Sequence, residues 1–270
     1  MRIYSMKLFA SFRISCGAII GAAALFVAAM PAAEPEPATA SARDLANQMS
    51  AARQGNALIR ARLEVRSPDG SKQVFQLQIK ERCTATSTDL LYLVQWPKER
   101  KDEAVFLHQE SGGAARGTVV TPSAPPRTLE GSQMDGGLFG SDLSYQDAIE
   151  NFFAWQEQTI VGSEVINGAQ CQIIESKPGK SGISIYSKVR SWVDSRRLVP
   201  MRIEKYSAAG HVVRRIDTTY VGRDQHDRFI PAKLTVRSPS KDSITEFDGA
   251  RIEQGMQFTD RDFTPETVSK

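Results

Sequence analysis

The sequence predicts a mainly β chain: one antiparallel, strongly curved sheet or barrel with two or three covering helices. Three observations lead there. Apolar and charged residues alternate with period two through most of the chain. Short turns rich in Gly, Pro, Asn and Asp separate these runs. The strands are joined mostly by short turns, without the spacing that repeated βαβ units would require. Each strand has one apolar side and one charged side, so one sheet face meets water and the other needs a cover.

The N-terminus reads as an export signal. Arg2, Lys7 and Arg13 precede the uncharged run Ile14–Met30, and Pro31-Ala32-Ala33 leads into the acidic, Pro-rich Glu34-Pro35-Glu36-Pro37. Cleavage is expected after Ala33 or after Ala40, leaving residues 34–41 as a linker, 42–266 as a single domain and 267–270 as a tail. The apolar run of about 17 residues is at the short edge of a membrane span and rich in Ala and Gly, so an uncleaved anchor is the weaker reading. Cys16 lies before that run, which argues against a lipidated cysteine. The whole chain carries a net charge of +3. Cleavage removes three cations, and at Ala40 also Glu34 and Glu36, so the mature protein is near neutral. Without a basic run it does not suit nucleic acid.

The first helix is expected over Ala42 to Gln54, with Leu45, Ala46 and Met49 on one face, Ser41 as its cap and Gly55-Asn56 as its stop. Two strands follow, Ile59–Val65 and Phe75–Ile79, joined through the Pro68-Asp69-Gly70 turn. Asp89–Trp96 ends at Pro97, and Glu103–Gln109 comes next. Ser111–Gly140 is rich in Gly, Pro and Ser and reads as a long loop with one weak strand near Arg116–Thr121. Ser144 can cap a second helix over Tyr145–Phe153, with Asp147 as its N3 acid. Gln158–Ile166 and Ala169–Lys177 flank Asn167-Gly168, a hairpin signal. Further strands are expected at Ile183–Asp194, Val199–Ser207, His211–Val221, Ile230–Arg237 and Ser243–Gln254.

Little in the sequence points to catalysis. His108, His211 and His226 are isolated, and Asp224, His226 and Asp227 suit a solvated turn better than a metal site. There is no G-x-S-x-G elbow, and Gly179-Lys180-Ser181 lacks the earlier glycine of a phosphate loop. Gly140-Ser141-Asp142 can bind an anion or simply cap a helix. Cys83 and Cys171 have no CxxC partner. They are either two buried thiols or a disulfide closing nearly ninety residues, worth about 4–5 kcal/mol in the chain-entropy model.

An ordered set of short motifs carries a resemblance. Gly140-Ser141-Asp142-Leu143-Ser144-Tyr145-Gln146-Asp147 is followed by Val161-Gly162, Val165-Ile166-Asn167-Gly168-Ala169-Gln170-Cys171 and Trp192-Val193-Asp194. Pro200-Met201-Arg202, Gly210, Phe229-Ile230-Pro231 and Phe263-Thr264-Pro265 complete it. Over about 125 residues this resembles the periplasmic outer-membrane lipoprotein-sorting (LolA-like) family. The resemblance implies an unclosed antiparallel β-barrel whose concave apolar face, covered by helices, holds acyl chains without covalent chemistry. It implies a monomeric periplasmic carrier, without cofactor, that takes a lipid or lipoprotein from an inner-membrane transporter toward the outer membrane. A sensor module of the same fold and a hydrolase are the alternatives. Gly112–Gly137 departs from the family, which has an aromatic strand before the GSD segment. The inward-phase cavity candidates are Leu63, Phe75, Leu77, Leu93, Ile173, Ile185, Trp192 and Ile203, with Phe152, Phe153 and Trp155 beside the cover. Each of them can equally be core.

Overall fold

The computed structural model describes residues 41–180 and 182–267. The expected export signal and both expected cleavage positions lie outside the described residues. Helix α1 (Ala42–Ala52) begins at Ser41, whose hydroxyl accepts from the Asp44 amide. The strands that follow are β1 (Gly55–Arg66), β2 (Lys72–Cys83), β3 (Ser87–Trp96), β4 (Ala104–Glu110), β5 (Arg116–Thr121) and β6 (Ala124–Leu129). A crossing segment then carries 3₁₀ turns, helix α2 (Tyr145–Ile149) and one more 3₁₀ turn at Phe152–Ala154. The remaining strands are β7 (Glu157–Ile166), β8 (Ala169–Lys177), β9 (Lys188–Asp194), β10 (Val199–Tyr206), β11 (Val212–Arg223), β12 (Phe229–Arg237) and β13 (Ile244–Gln254).

All thirteen strands form one antiparallel sheet, ordered β6-β5-β4-β3-β2-β1-β13-β12-β11-β10-β9-β8-β7. β1 pairs with β13, so the two halves join at the middle, and β6 and β7 are left as unpaired edges. The sheet is not closed into a barrel. Local sequence sets its hairpins: Asp69 accepts from the Ser71 amide while Gly70 takes φ 83°, and Asn167 and Gly168 both take positive φ, as a two-residue primed turn requires.

The structure corrects three boundaries. The long loop contains β5 and also β6, whose Pro125 and Pro126 conceal a strand from sequence reading. Prolines are tolerated there because β6 is an edge and both fall in its register shift, opposite no residue of β5, so their missing N–H groups cost no ladder bonds. Ile183–Ser187 is coil, and β9 begins only at Lys188. The second helix ends at Ile149, because Glu150 turns to extended backbone.

Side-chain alternation separates two faces. On the inner face, Leu63, Phe75, Leu77, Leu90, Tyr92 and Val94 pack with Met134, Leu138, Phe139, Tyr145 and Ile149 of the crossing segment. Leu45, Ala46 and Met49 of α1 join Phe152, Phe153, Trp155, Ile174, Val189 and Val193 in a second inner cluster. The outer face carries two smaller clusters. One is Leu91, Ala104 and Phe106 with Leu93 and Phe263, and the other centres on Cys171, Trp192, Val199 and Met201. α2 packs toward β3 and β4, whereas α1 packs toward β7.

Candidate functional site: the concave face

The GSD segment anchors the crossing segment to the sheet. Asp142, almost fully buried, accepts from Ser243 Oγ at 2.7 Å, just before β13, and from Thr245 Oγ1 at 2.9 Å, near the start of that strand. Ser144 and Asp147 form a reciprocal cap at the start of α2. Asp147 does more than cap. Its Oδ1 meets Lys205 Nζ at 2.8 Å and accepts from Tyr186 Oη at 2.7 Å, while Oδ2 accepts from Arg214 Nε at 2.8 Å. Burial alone would push this carboxyl up, but the Lys205 and Arg214 charges around it hold it at about 2. Burial raises the neighbouring Glu150 carboxyl, against the pull of Lys205. Asp147 was legible only as a helix cap. The sign of its second role is Lys205, a lysine in the same inward phase of β10 as Ile203.

The central strands carry an incompletely covered part of the inner face. Ile59, Leu234, Phe247, Ile230 and Ile252 are half-buried. Ile59 pairs across the ladder with Ile252, and Leu234 with Phe247. Beside them is a cleft of about 410 Å³ lined by Tyr220, Gly222, Ile230, Ala232, Gly249 and Ile252, among others. A separate cleft of about 340 Å³ opens between the end of α1, the β2–β3 and β4–β5 turns and the segment after β8. Its lining is largely polar or small: Ser50, Gln54, Thr84, Ser87, Gln109, Asn151 and Gln156 are among its residues.

The predicted cavity residues divide into three groups. Leu63, Phe75 and Leu77 are buried in the first inner cluster, with Phe75 stacked 5.8 Å from Phe139. Phe152, Phe153 and Trp155 are buried in the second inner cluster, with Ile185 and Ile203 packed against it half-buried. Leu93, Ile173 and Trp192 belong to the outer face, a correction to their expected phase. Leu93 packs under the C-terminal turn, and Ile173 packs against the cluster that contains Trp192. Trp192 donates to Glu164 Oε2 at 2.7 Å, and Arg202 stacks 5.2 Å from its ring. In these strands both faces carry large apolar side chains, so alternation alone does not reveal which phase is inner; a one-residue change of phase inverts the assignment.

The cysteines are a further correction to the disulfide alternative. Both are free and buried, Cys83 within 3.5 Å of Thr88 Oγ1 and Cys171 in the outer cluster. Ser141 Oγ donates to the Leu143 carbonyl, and His108 is engaged with Asp89 at 2.7 Å on a different part of the sheet. Among the described residues no cluster of His, Cys, Asp and Glu is suited to a metal, and no helix is long and apolar enough to cross a membrane.

Solved structures share this architecture. A DUF1329 family protein from Desulfovibrio piger superposes with a TM-score of 0.77 at 18% identity, over 84% of this chain and 97% of that one. A domain from Vibrio parahaemolyticus described as an outer-membrane lipoprotein-sorting protein gives 0.74 at 15% identity, over 83% and 97%. A LolA superfamily protein from Nitrosomonas europaea gives 0.68 at 15% identity, over 85% and 100%. None of the curated proteins matches the sequence. The model of a family described as "Uncharacterized protein" matches residues 87–270. That model covers more than half of the chain, so the chain belongs to that family, and its open sheet has the LolA-like fold.

Proposed function

We propose that this protein is a periplasmic carrier that holds acyl chains of a lipid or lipoprotein on the concave face and moves them from the inner toward the outer membrane. One observation carries the reading: half-buried apolar side chains on the inner face of β1, β12 and β13, beside a cleft, in a sheet that stays open. Buried apolar residues elsewhere on this face need no ligand, because the crossing segment already fills the space. Here an acyl chain would complete the burial, gaining about 0.8 kcal/mol per CH₂ before ordering costs. The LolA-like fold and the N-terminal export signal agree with such a role. The work is non-covalent and requires no cofactor, the protein acts as a monomer, and its donor is an inner-membrane transporter.

The seat of the chain is proposed at Ile59, Leu234, Phe247 and Ile252. Leu63, Phe75 and Leu77 serve mainly as its packed floor, and Phe152, Phe153, Trp155, Ile185 and Ile203 support the α1 side. The test is native mass spectrometry of protein purified from the periplasm, with displacement of cis-parinaric acid as a second readout. Co-purifying lipid and saturable displacement are expected. Leu234→Glu should weaken probe binding at least about tenfold, equivalent to 1.4 kcal/mol, while the fold survives. No lipid and no displacement from the natural sequence would overturn the reading.

A further inference from the structure

β12 and β13 are neighbours for only part of their length. Their ladder runs from Val236↔Thr245 to Lys233↔Asp248 and stops, although β12 begins at Phe229 and β13 extends to Gln254. Each strand keeps its other partner beyond that point: Phe229, Ile230 and Pro231 still pair with β11, and Gly249–Gln254 with β1. The sheet is therefore parted between two otherwise intact strands. At the far end the parting is bridged by side chains, where Gln225 donates to the Gln254 carbonyl at 3.3 Å and Asp224 accepts from Gln254 at 3.4 Å.

The cleft described above occupies this parting. Its lining mixes the two faces: Ile230 and Ile252 belong to the inner phase, whereas Lys233, Asp248 and Arg251 belong to the outer, charged phase. Residues of both phases can line one space only where it passes between strands. Register shifts surround it, at Arg60/Ala61 in β1 and around Tyr220 in β11, and bulges of this kind end strand pairing. Small residues are prominent in its lining: Gly222, Ala232 and Gly249. A Cβ at Gly222 would meet Ala232 Cβ at 3.0 Å, so that glycine is required by packing. Gly249 is different. Its Cβ would meet only the Ala232 carbonyl oxygen at 3.7 Å, an ordinary contact, and its φ lies outside the left-handed region. Gly249 flanks the bulge of β13 opposite Arg60/Ala61, a usual place for a strand glycine, and its missing side chain leaves the cleft open beside Ala232.

We infer that the parting between β12 and β13 is the lateral passage by which a single acyl chain crosses the sheet into the concave face. The inference rests on the carrier reading. The passage has a lining of small and apolar residues, Gly222, Ala232, Gly249, Ile230 and Ile252, which suits a linear hydrocarbon. It opens inward on Ile252, the cross-strand partner of half-buried Ile59. Its outer lip carries the Lys233–Asp248 pair at 2.9 Å and exposed Arg251, charged groups beside which a headgroup can stay in water.

A passage controls rates and not equilibrium, and this separates it from a resting site. Stopped-flow binding of cis-parinaric acid to the full mature chain reads both. Gly249→Leu fills the slot, and association and dissociation should each slow about tenfold, with Kd unchanged within about threefold. Ala232→Leu narrows the slot from β12 and should act in the same way, which covers the case in which Gly249→Leu does not fold. Unchanged association in the folded variants overturns the passage. So does weaker affinity with unchanged association, which would make the cleft part of the resting site. Absence of binding by the natural sequence overturns the carrier reading itself, a different outcome from either.

Discussion

Helix α1 rests on the β7 side of the sheet through three apolar side chains, Leu45, Ala46 and Met49, whereas α2 is tied to β10 and β11 through one buried carboxylate, Asp147. The polar bonds that hold α1 are peripheral. Arg43 donates to the Trp155 carbonyl at 2.8 Å and to the Gln156 carbonyl, and Arg53 donates to the Glu150 carbonyl at 3.0 Å. At α2 the Asp147 side chain is fully buried, Lys205 is 1% exposed and Arg214 is 7% exposed. Apolar contacts are nondirectional and re-form after a shift, so α1 can slide or lift in small steps. A buried ion cluster tolerates no such displacement, because separation strands charges in a medium that does not solvate them. The difference teaches that cover and anchor are separate parts here: a buried charge cluster fixes α2, whereas α1 is held by contacts whose loss strands no buried charge.

The comparison breaks most sharply at Asp147. Asp147→Ala leaves Lys205 and Arg214 buried together without their counter-charge, and should cost about 3–5 kcal/mol in urea unfolding. A loss below about 1 kcal/mol would show that α2 is held by packing instead.

Acid provides the same test without mutation. Asp147 sits at about 2 in the folded protein against an ordinary 3.8. Its contribution is therefore fully present above pH 4 or so and is lost as pH falls toward 2, with a magnitude of about 2–3 kcal/mol. Glu64 and Glu175 are also held at about 2, so the natural protein loses stability over the same window for more than one reason. For Glu64 the bond from Lys72 leads; for Glu175 burial acts upward and Lys188, Arg190 and Lys177 outweigh it. The specific readout is the difference between the natural chain and Asp147→Asn. It should shrink between pH 5 and pH 2.5, and a constant difference would contradict the hub.

Asp142→Ala removes two hydroxyl bonds to β13 and should cost about 1–3 kcal/mol, less than Asp147→Ala because no counter-charge is stranded. The smallest effect is expected at the other helix. Arg43→Ala should change global stability by about 1 kcal/mol or less. It should nevertheless raise hydrogen exchange at Leu45–Met49 while leaving Ala148 and Ile149 protected. Equal exchange in both helices would remove the distinction between cover and anchor.

Some of this organisation is readable from particular residues. Ser41 and Ser144 mark both helix starts, and Asn167-Gly168 and Asp69-Gly70 place two hairpins, because capping and turn geometry depend on neighbours within four residues. The motifs of the family resemblance acquire structural work. Asp142 and Asp147 tie down the crossing segment, and Phe263 shields the outer cluster while Arg82 stacks 4.9 Å from its ring. The candidate site was less legible. Leu93, Ile173 and Trp192 looked identical in kind to Leu63 and Leu77, and only the direction in which the sheet curls distinguishes them. Nothing in the sequence distinguishes the half-buried set Leu234, Phe247, Ile230 and Ile252, since partial exposure depends on where the helices stop.

The sequence by itself determined the strand periodicity, the principal turns, the helix caps and the antiparallel class, all of which follow from short-range steric and hydrogen-bonding preferences. Tertiary structure alone decided which apolar phase faces inward and that β6, with its two prolines, could be an edge strand. It also decided that Asp147 meets Lys205 and Arg214, and that β12 and β13 part beyond Lys233. These outcomes depend on contacts between residues 58 or more positions apart for the Asp147 hub, and on the curl of the whole sheet for the rest. A period of two specifies that a strand has two faces; only the folded sheet makes one of them the inside.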